Sequence, residues 1–222
     1  MLSSKKHYLQ IALNSTLDEA RRIIRLLPPS DRIIIEAGTP LIKEYGSDAI
    51  SELRSLWNSH LYGTDIMPYI VADLKCMDRG AREVEIAKTG GASAAVVLGI
   101  APIETINAFI DACTKSEVDS MIDMMNADKP YQILRKLKKL PKVVILHRGV
   151  DEEAGGKTLP IHMINKIKGT FNIMISIAGG DTEREIQSAV FNGADIVVLW
   201  KNFYEAGDNT AQLAAGFLQN IK

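Results

Sequence analysis

The sequence predicts a single-domain α/β protein, a (β/α)8 TIM barrel formed by residues 1–222. Three observations point there. Eight short apolar runs alternate with eight longer amphipathic stretches. The apolar runs start roughly every 25 residues, the usual length of a strand-loop-helix-loop unit. No linker or low-complexity segment divides the chain. Eight such units in one chain of this size fit a closed barrel. The other architecture compatible with the alternation is an open, doubly wound sheet.

Each element has its own signal. Residues 8–13 form the first apolar run, and 17–27 carry the first helical pattern, which stops at Pro28-Pro29. The isoleucine-rich run 32–36 is the second strand, with a helix at 49–56. Strand 69–73 leads to helix 79–89, which ends at Gly90-Gly91. Strand 94–98 precedes helix 103–114, and strand 117–123 precedes helix 130–138. Strand 142–147 is followed by Gly155-Gly156 and a helix at 160–168. Strand 173–177 meets Gly179-Gly180 before helix 182–192, and strand 196–199 precedes helix 210–221. Turn residues thus punctuate the apolar periodicity.

Composition narrows the function classes. With 46% hydrophobic residues, the chain can bury a sizeable core. A net charge of −1 gives no bulk attraction to nucleic acid or to an anionic membrane. No apolar run approaches the roughly 20 residues of a membrane span, and the lysine-bearing stretch 1–8 lacks the apolar region of a signal peptide. The two cysteines, Cys76 and Cys113, make neither a disulfide framework nor a zinc cluster, so a reducing, cytoplasmic location is expected.

The most informative stretch is Val71-Ala72-Asp73-Leu74-Lys75-Cys76-Met77-Asp78. Two carboxylates and an ammonium are spaced D-x-K-x-x-D at the end of an apolar run. On a strand, Asp73 and Lys75 point to one side, and Asp78 on the following turn is expected to return toward Lys75. A lysine held between carboxylates stays protonated and fixed. It can then stabilise an enolate or a carbanion, or help hold a divalent metal. The competing reading is a solvated surface ion pair.

The neighbours favour chemistry. Barrel enzymes place catalytic groups at the C-terminal ends of strands. Those ends carry Asn14, Glu36, Asp73 with Lys75, Asp123, His147 and Gly179-Gly180. Glu36 and Asp73 are the expected metal ligands, hard oxygens that suit magnesium; a plain Glu36–Lys75 pair is the alternative. His147 is the candidate general base, or else a hydrogen-bonded core residue. Gly179-Gly180 can offer bare N–H groups to an anion, or form an ordinary turn. His7, His60 and His162 read as surface residues, and Cys76 as packing.

These residues together resemble the orotidine-monophosphate decarboxylase superfamily, and within it the branch of 3-hexulose-6-phosphate synthase and 3-keto-L-gulonate-6-phosphate decarboxylase. The stretches that carry the resemblance are Leu9-Gln10-Ile11-Ala12-Leu13, Glu36-Ala37-Gly38-Thr39-Pro40, Ala72-Asp73-Leu74-Lys75-Cys76-Met77-Asp78, Ile122-Asp123-Met124, His147-Arg148-Gly149-Val150-Asp151 and Ala178-Gly179-Gly180. Glu36 with Gly-Thr-Pro separates this branch from the nucleotide decarboxylases, which carry a lysine on strand 2.

The resemblance implies a barrel and a homodimer with shared active sites, in which Asp78 reaches a second copy's site. It implies that Glu36 and Asp73 help bind magnesium, that Lys75 stabilises an enediolate of a pentulose phosphate, and that His147 moves the proton. The enediolate would attack formaldehyde to give a hexulose 6-phosphate, or the reaction would run in reverse. Asn14, Asp123, Gly179, Gly180 and Lys201 are the expected substrate-binding residues.

The chain departs from the branch at Asn14, an aspartate there. It departs at Trp200-Lys201, where a glycine followed by Arg or Ser is usual, and at Asp181, an acid beside the expected phosphate. Val150 stands where the decarboxylases have an arginine. Two further hypotheses therefore stand: a decarboxylase or lyase with an altered substrate, phosphorylated or not, and a non-catalytic binding subunit.

Overall fold

In the computed structural model, which describes residues 2–180 and 182–221, eight parallel strands close into a barrel in the order β1-β2-β3-β4-β5-β6-β7-β8. Asp181 lies outside the described residues. The strands are β1 (Tyr8–Leu13), β2 (Ile33–Ala37), β3 (Ile70–Cys76), β4 (Ala94–Leu98), β5 (Asp119–Asp123), β6 (Val143–His147), β7 (Met174–Ala178) and β8 (Ile196–Leu199). Ring closure is made by β1 on β8, with Tyr8 opposite Ile196 and Ile11 opposite Leu199. The open-sheet alternative is thereby excluded.

Eight strands stand where the apolar runs predict them. The largest difference is β3, which runs on to Cys76 and so contains the whole D-x-K motif instead of ending at Asp73. The principal helices are α1 (Leu17–Leu26), α3 (Asp48–His60), α4 (Gly80–Thr89), α5 (Ile103–Ser116), α6 (Pro130–Lys136), α8 (Ile164–Lys168), α9 (Glu183–Phe191) and α11 (Thr210–Asn220). Three short helices were not expected: α2 (Thr39–Tyr45), α7 (Val150–Ala154) and α10 (Lys201–Glu205). Each follows the C-terminal end of a strand and so helps to frame the mouth of the barrel. Thr16 starts α1 by accepting the Glu19 N–H, and Thr182 starts α9 in a reciprocal box with Glu185.

Strand alternation separates two cores. In β1, Leu9, Ile11 and Leu13 face the helices and join Trp57, Phe109 and Phe203 in the outer core. Tyr8, on the other parity, joins Val71, Val96, Met121 and Ile196 inside the barrel. Burying a side chain such as Phe109 contributes roughly 1.5–3 kcal/mol. Inward-facing Gln10 on β1 brings a polar layer above the interior core. His60, expected on the surface, stacks on Trp57 with centroids 5.4 Å apart, and its Nε2 lies 2.7 Å from the Leu27 carbonyl oxygen. Arg32 ties the ends of the chain together. Its guanidinium donates to the carbonyls of His7, Leu218 and Ile221 at 2.9, 3.0 and 2.8 Å.

Candidate active site

The C-terminal ends of the strands enclose a cavity of about 270 Å³. Its polar lining includes Gln10, Asn14, Glu36, Asp73, Lys75, Asp123 and His147. A second, roomier cavity of about 600 Å³ opens at the opposite end, beside Tyr8, Tyr69 and Asp119. Chemistry in this architecture belongs to the first end, where loops after the strands converge.

The central group is Lys75. Its ammonium lies 3.0 Å from Asp73 Oδ2 and 2.9 Å from Asp123 Oδ2. The strand is irregular where it makes this contact. Lys75 has a φ of 44°, and the β3–β4 register shifts between Ala72 and Cys76. The bulge re-aims the side chain, as such irregularities do beside active sites. Burial disfavours the ammonium, but Asp73 and Asp123 outweigh it and raise its pKa above the ordinary lysine value. Lys75 is therefore a fixed cation throughout the neutral range.

Asp123 is 1% exposed. Its Oδ2 accepts from Lys75 and from His147 Nδ1 at 2.8 Å, and its Oδ1 accepts the Met125 N–H at 2.8 Å. Burial would raise its pKa, yet the charges of His147 and Lys75 hold it well below the usual carboxylate range. An ionised carboxylate only accepts hydrogen bonds. His147 Nδ1 must then carry the proton, and Nε2 is left as the basic nitrogen. Asp123 lines the cavity, as expected of a substrate-binding residue, and its oxygens also accept from three protein donors.

Glu36 and Asp73 are both buried in the cavity wall. Gln10 Nε2 donates to Glu36 Oε2 at 2.7 Å, so the alternative Glu36–Lys75 pair is not formed. Burial and then the negative charge of Asp73 push the Glu36 carboxyl up to about 7. Thr39 Oγ1 donates to the Asp73 carbonyl at 2.7 Å and to Asp73 Oδ2 at 2.9 Å. Asp73 Oδ1 is buried and has no hydrogen-bond partner among the described residues. Two facing acids with an orphan oxygen fit a hard divalent cation that keeps the rest of its shell for water or ligand. No group of three or more His, Cys, Asp or Glu among the described residues has the geometry of an all-protein metal site.

Three expectations need correction. Asp78 is exposed on the turn after β3 and does not return to Lys75; Asp123, distant in sequence, takes that place. Lys201 is exposed and does not line the cavity, because β8 ends at Leu199 and the chain turns outward into α10. Gly180 is buried behind the cavity wall, where an added Cβ would lie 3.0 Å from Leu159 Cδ1. Asn14 and Gly179 do line the cavity. Asn14 fits because Gly38 has no side chain; a Cβ there would come within 1.8 Å of Asn14 Oδ1.

Sequence reasoning missed several participants. Thr39 and Gln10 each bond a metal-ligand candidate. Trp200 lines the cavity and meets Tyr204 edge-on, with centroids 5.9 Å apart. The Tyr204 hydroxyl oxygen accepts the backbone N–H groups of Asn14 at 2.8 Å and Ser15 at 3.0 Å. Arg148, adjacent to His147, is 8% exposed and also lines the cavity. The Gly-Thr-Pro signature was a usable signal for Thr39; the Tyr204 contacts had none.

Comparison with known proteins adds the following. A family model described as Orotidine 5'-phosphate decarboxylase / HUMPS family matches residues 7–215. The bifunctional enzyme Fae/Hps of Methanocella arvoryzae is 36% identical over 219 residues, which are 97% of this chain and 53% of that protein. The protein of the same name from Methanocaldococcus jannaschii is 40% identical over 174 residues, 78% of this chain and 42% of that protein. The chain spans about half the length of the curated relatives it matches. The crystal structure of 3-hexulose-6-phosphate synthase from Salmonella typhimurium superposes with a TM-score of 0.78 at 27% identity, covering 96% of both chains. Another 3-hexulose-6-phosphate synthase structure gives 0.81 at 28% identity, covering 97% of this chain and 100% of that one.

Proposed function

The chain belongs to the orotidine 5'-phosphate decarboxylase / HUMPS family, and on that premise we propose that it is a magnesium-dependent aldolase. It joins formaldehyde to ribulose 5-phosphate to give a hexulose 6-phosphate, or runs the reverse reaction. The observation that carries the reading is the triad of Lys75, Asp123 and His147, in which one buried carboxylate fixes both a cation and a base. The names of the synthase relatives and the uncharged Val150 favour this branch over the decarboxylases.

The chemistry asks little more of the chain. His147 Nε2 takes a proton from the carbon beside the substrate carbonyl. Negative charge then develops on the enediolate oxygens, where the Lys75 ammonium is already in place and needs no reorganisation. The freed electron pair forms the new bond to the formaldehyde carbon, and the formaldehyde oxygen takes up a proton. Glu36 and Asp73 would hold the magnesium, whose Lewis acidity would further polarise the substrate oxygens. Thr39 and Gln10 orient those two acids, much as ligands elsewhere are set by the groups behind them. The proposal includes a cytoplasmic homodimer, with exposed Asp78 placed to meet a second copy.

The test is formaldehyde consumption with ribulose 5-phosphate, with magnesium and then with EDTA. Turnover that needs magnesium and is lost in a folded Lys75→Ala variant supports the reading; activity indifferent to Lys75 rejects these roles. A second reading, an altered and unphosphorylated substrate, draws on Trp200 in the cavity wall and on Lys201 outside it. Turnover of such sugars or keto acids, with none of ribulose 5-phosphate, would select it.

A further inference from the structure

A sugar phosphate needs an anion grip at the end of the cavity away from Lys75. Lys201 does not line the cavity, Gly180 lies behind its wall, and the Lys75 charge is already matched by two carboxylates. Among the described residues, one other cation lines this space. Arg148 is more than nine-tenths buried, yet its donors are incompletely used. Nη2 donates to Glu153 Oε1 at 2.8 Å and to the Gly179 carbonyl. Nη1 reaches the Lys157 carbonyl and Glu185 Oε1 only at 3.5 Å each. Nε is buried without a partner among the described residues. A buried guanidinium with an idle donor has unused capacity for a planar or tetrahedral oxyanion.

The surroundings are built for it. Gly179 has a φ of 95°, and a Cβ there would lie 2.1 Å from the Arg148 carbonyl oxygen. Only glycine lets the turn after β7 rest flush on Arg148 beside the cavity. Glu153 lines the same cavity, and its side chain is 41% exposed. It sits on the five-residue helix α7, and its neighbour Glu152 is committed to the Gly149 N–H and Lys157. Glu153 thus holds the guanidinium from the solvent side, the position an incoming anion would take.

We propose that Arg148 anchors the phosphate of the substrate and that Glu153 is a built-in stand-in anion, displaced when the phosphate arrives. The identity of the sugar rests on the aldolase reading; the anion subsite does not. The exchange leaves an anion on the guanidinium at every stage, because one anion replaces another on a cation that stays buried. It also keeps Arg148 paired in the empty enzyme, which a lone buried guanidinium would not tolerate.

The experiment is calorimetric titration of the full chain with inorganic phosphate and with ribulose 5-phosphate. It compares the unaltered protein with Glu153→Gln, Arg148→Gln and the charge-conserving Arg148→Lys, each checked for folding by circular dichroism. Removing the competing carboxylate in Glu153→Gln is expected to tighten both ligands, by about tenfold for a charge-assisted contact. Arg148→Lys, which loses the fork of donors, is expected to weaken them by a similar factor. Unchanged or weaker phosphate binding in Glu153→Gln overturns the proposal, since the pair would then be purely structural. So does phosphate affinity indifferent to a folded Arg148 variant, or no phosphate binding by any variant. Phosphate binding with the expected dependence, but no formaldehyde turnover, upholds the subsite and counts against the aldolase reading alone.

Discussion

Asp123 carries more of the site than any other residue, and the sequence hid that. The spacing of Asp73 and Lys75 is local, so their pairing could be read directly. Asp123 lies 48 residues from Lys75 and meets it only when the barrel closes. The same distance effect made Asp78, near in sequence, a false partner. Asp123→Asn tests the assignment. An amide can donate to His147 Nδ1 and favour the wrong tautomer, so kcat should fall roughly 10⁴-fold with the fold intact, as a misoriented base does. Steady-state rates beside near-ultraviolet dichroism check this.

Glu36 offers a second test at the same scale. Its folded pKa of about 7 stands above the ordinary 4.5. A raised pKa means stability that is full below pH 4.5 and is lost as pH rises through 7. Glu36→Gln stays neutral, so without divalent metal it should stabilise the protein by on the order of 3 kcal/mol at pH 8 and by little at pH 5. On the proposed magnesium reading, the metal should reverse the order at pH 8, because a carboxylate ligates it better than a neutral amide. Scanning calorimetry at both pH values, with EDTA or magnesium, reads all four states.

At the scale of elements, strands were legible because a buried parallel strand is a compact apolar run. The helices α2, α7 and α10 were not, since five to seven residues hold too little periodicity to register. The β3 bulge left no mark either, because Lys75 and its neighbours satisfy ordinary alternation. Two glycines separate structure from function at this level. At Gly179 a Cβ meets backbone and the φ is positive, so Gly179→Ala should cost well over about 1 kcal/mol of stability. At Gly38 the nearest obstacle is the Asn14 side chain, so Gly38→Ala should raise KM several-fold while shifting Tm by less than about 2 °C. Thermal melts and substrate titrations of the pair would show the contrast.

For the molecule as a whole, the period of about 25 residues was enough to give a barrel, since repeated units of that length leave few other topologies. What the period could not give was the joint between first and last units. Arg32 makes part of that joint through three carbonyls, two of them in the final residues of the described chain. Arg32→Ala should lower stability by about 2–3 kcal/mol, or Tm by roughly 5–10 °C for a chain of this size.

The hydroxyl of Tyr204 has a consequence for the history of each molecule. The N–H groups it receives come from the first loop, 190 residues earlier in the chain for Asn14. The acids and the lysine stand on β2, β3 and β5, whereas a seated Asn14 and the indole wall beside it depend on the last unit. The site becomes whole only when the last unit docks. The first loop of the site is thereby fastened by the last unit of the barrel, with one tyrosine as the joint.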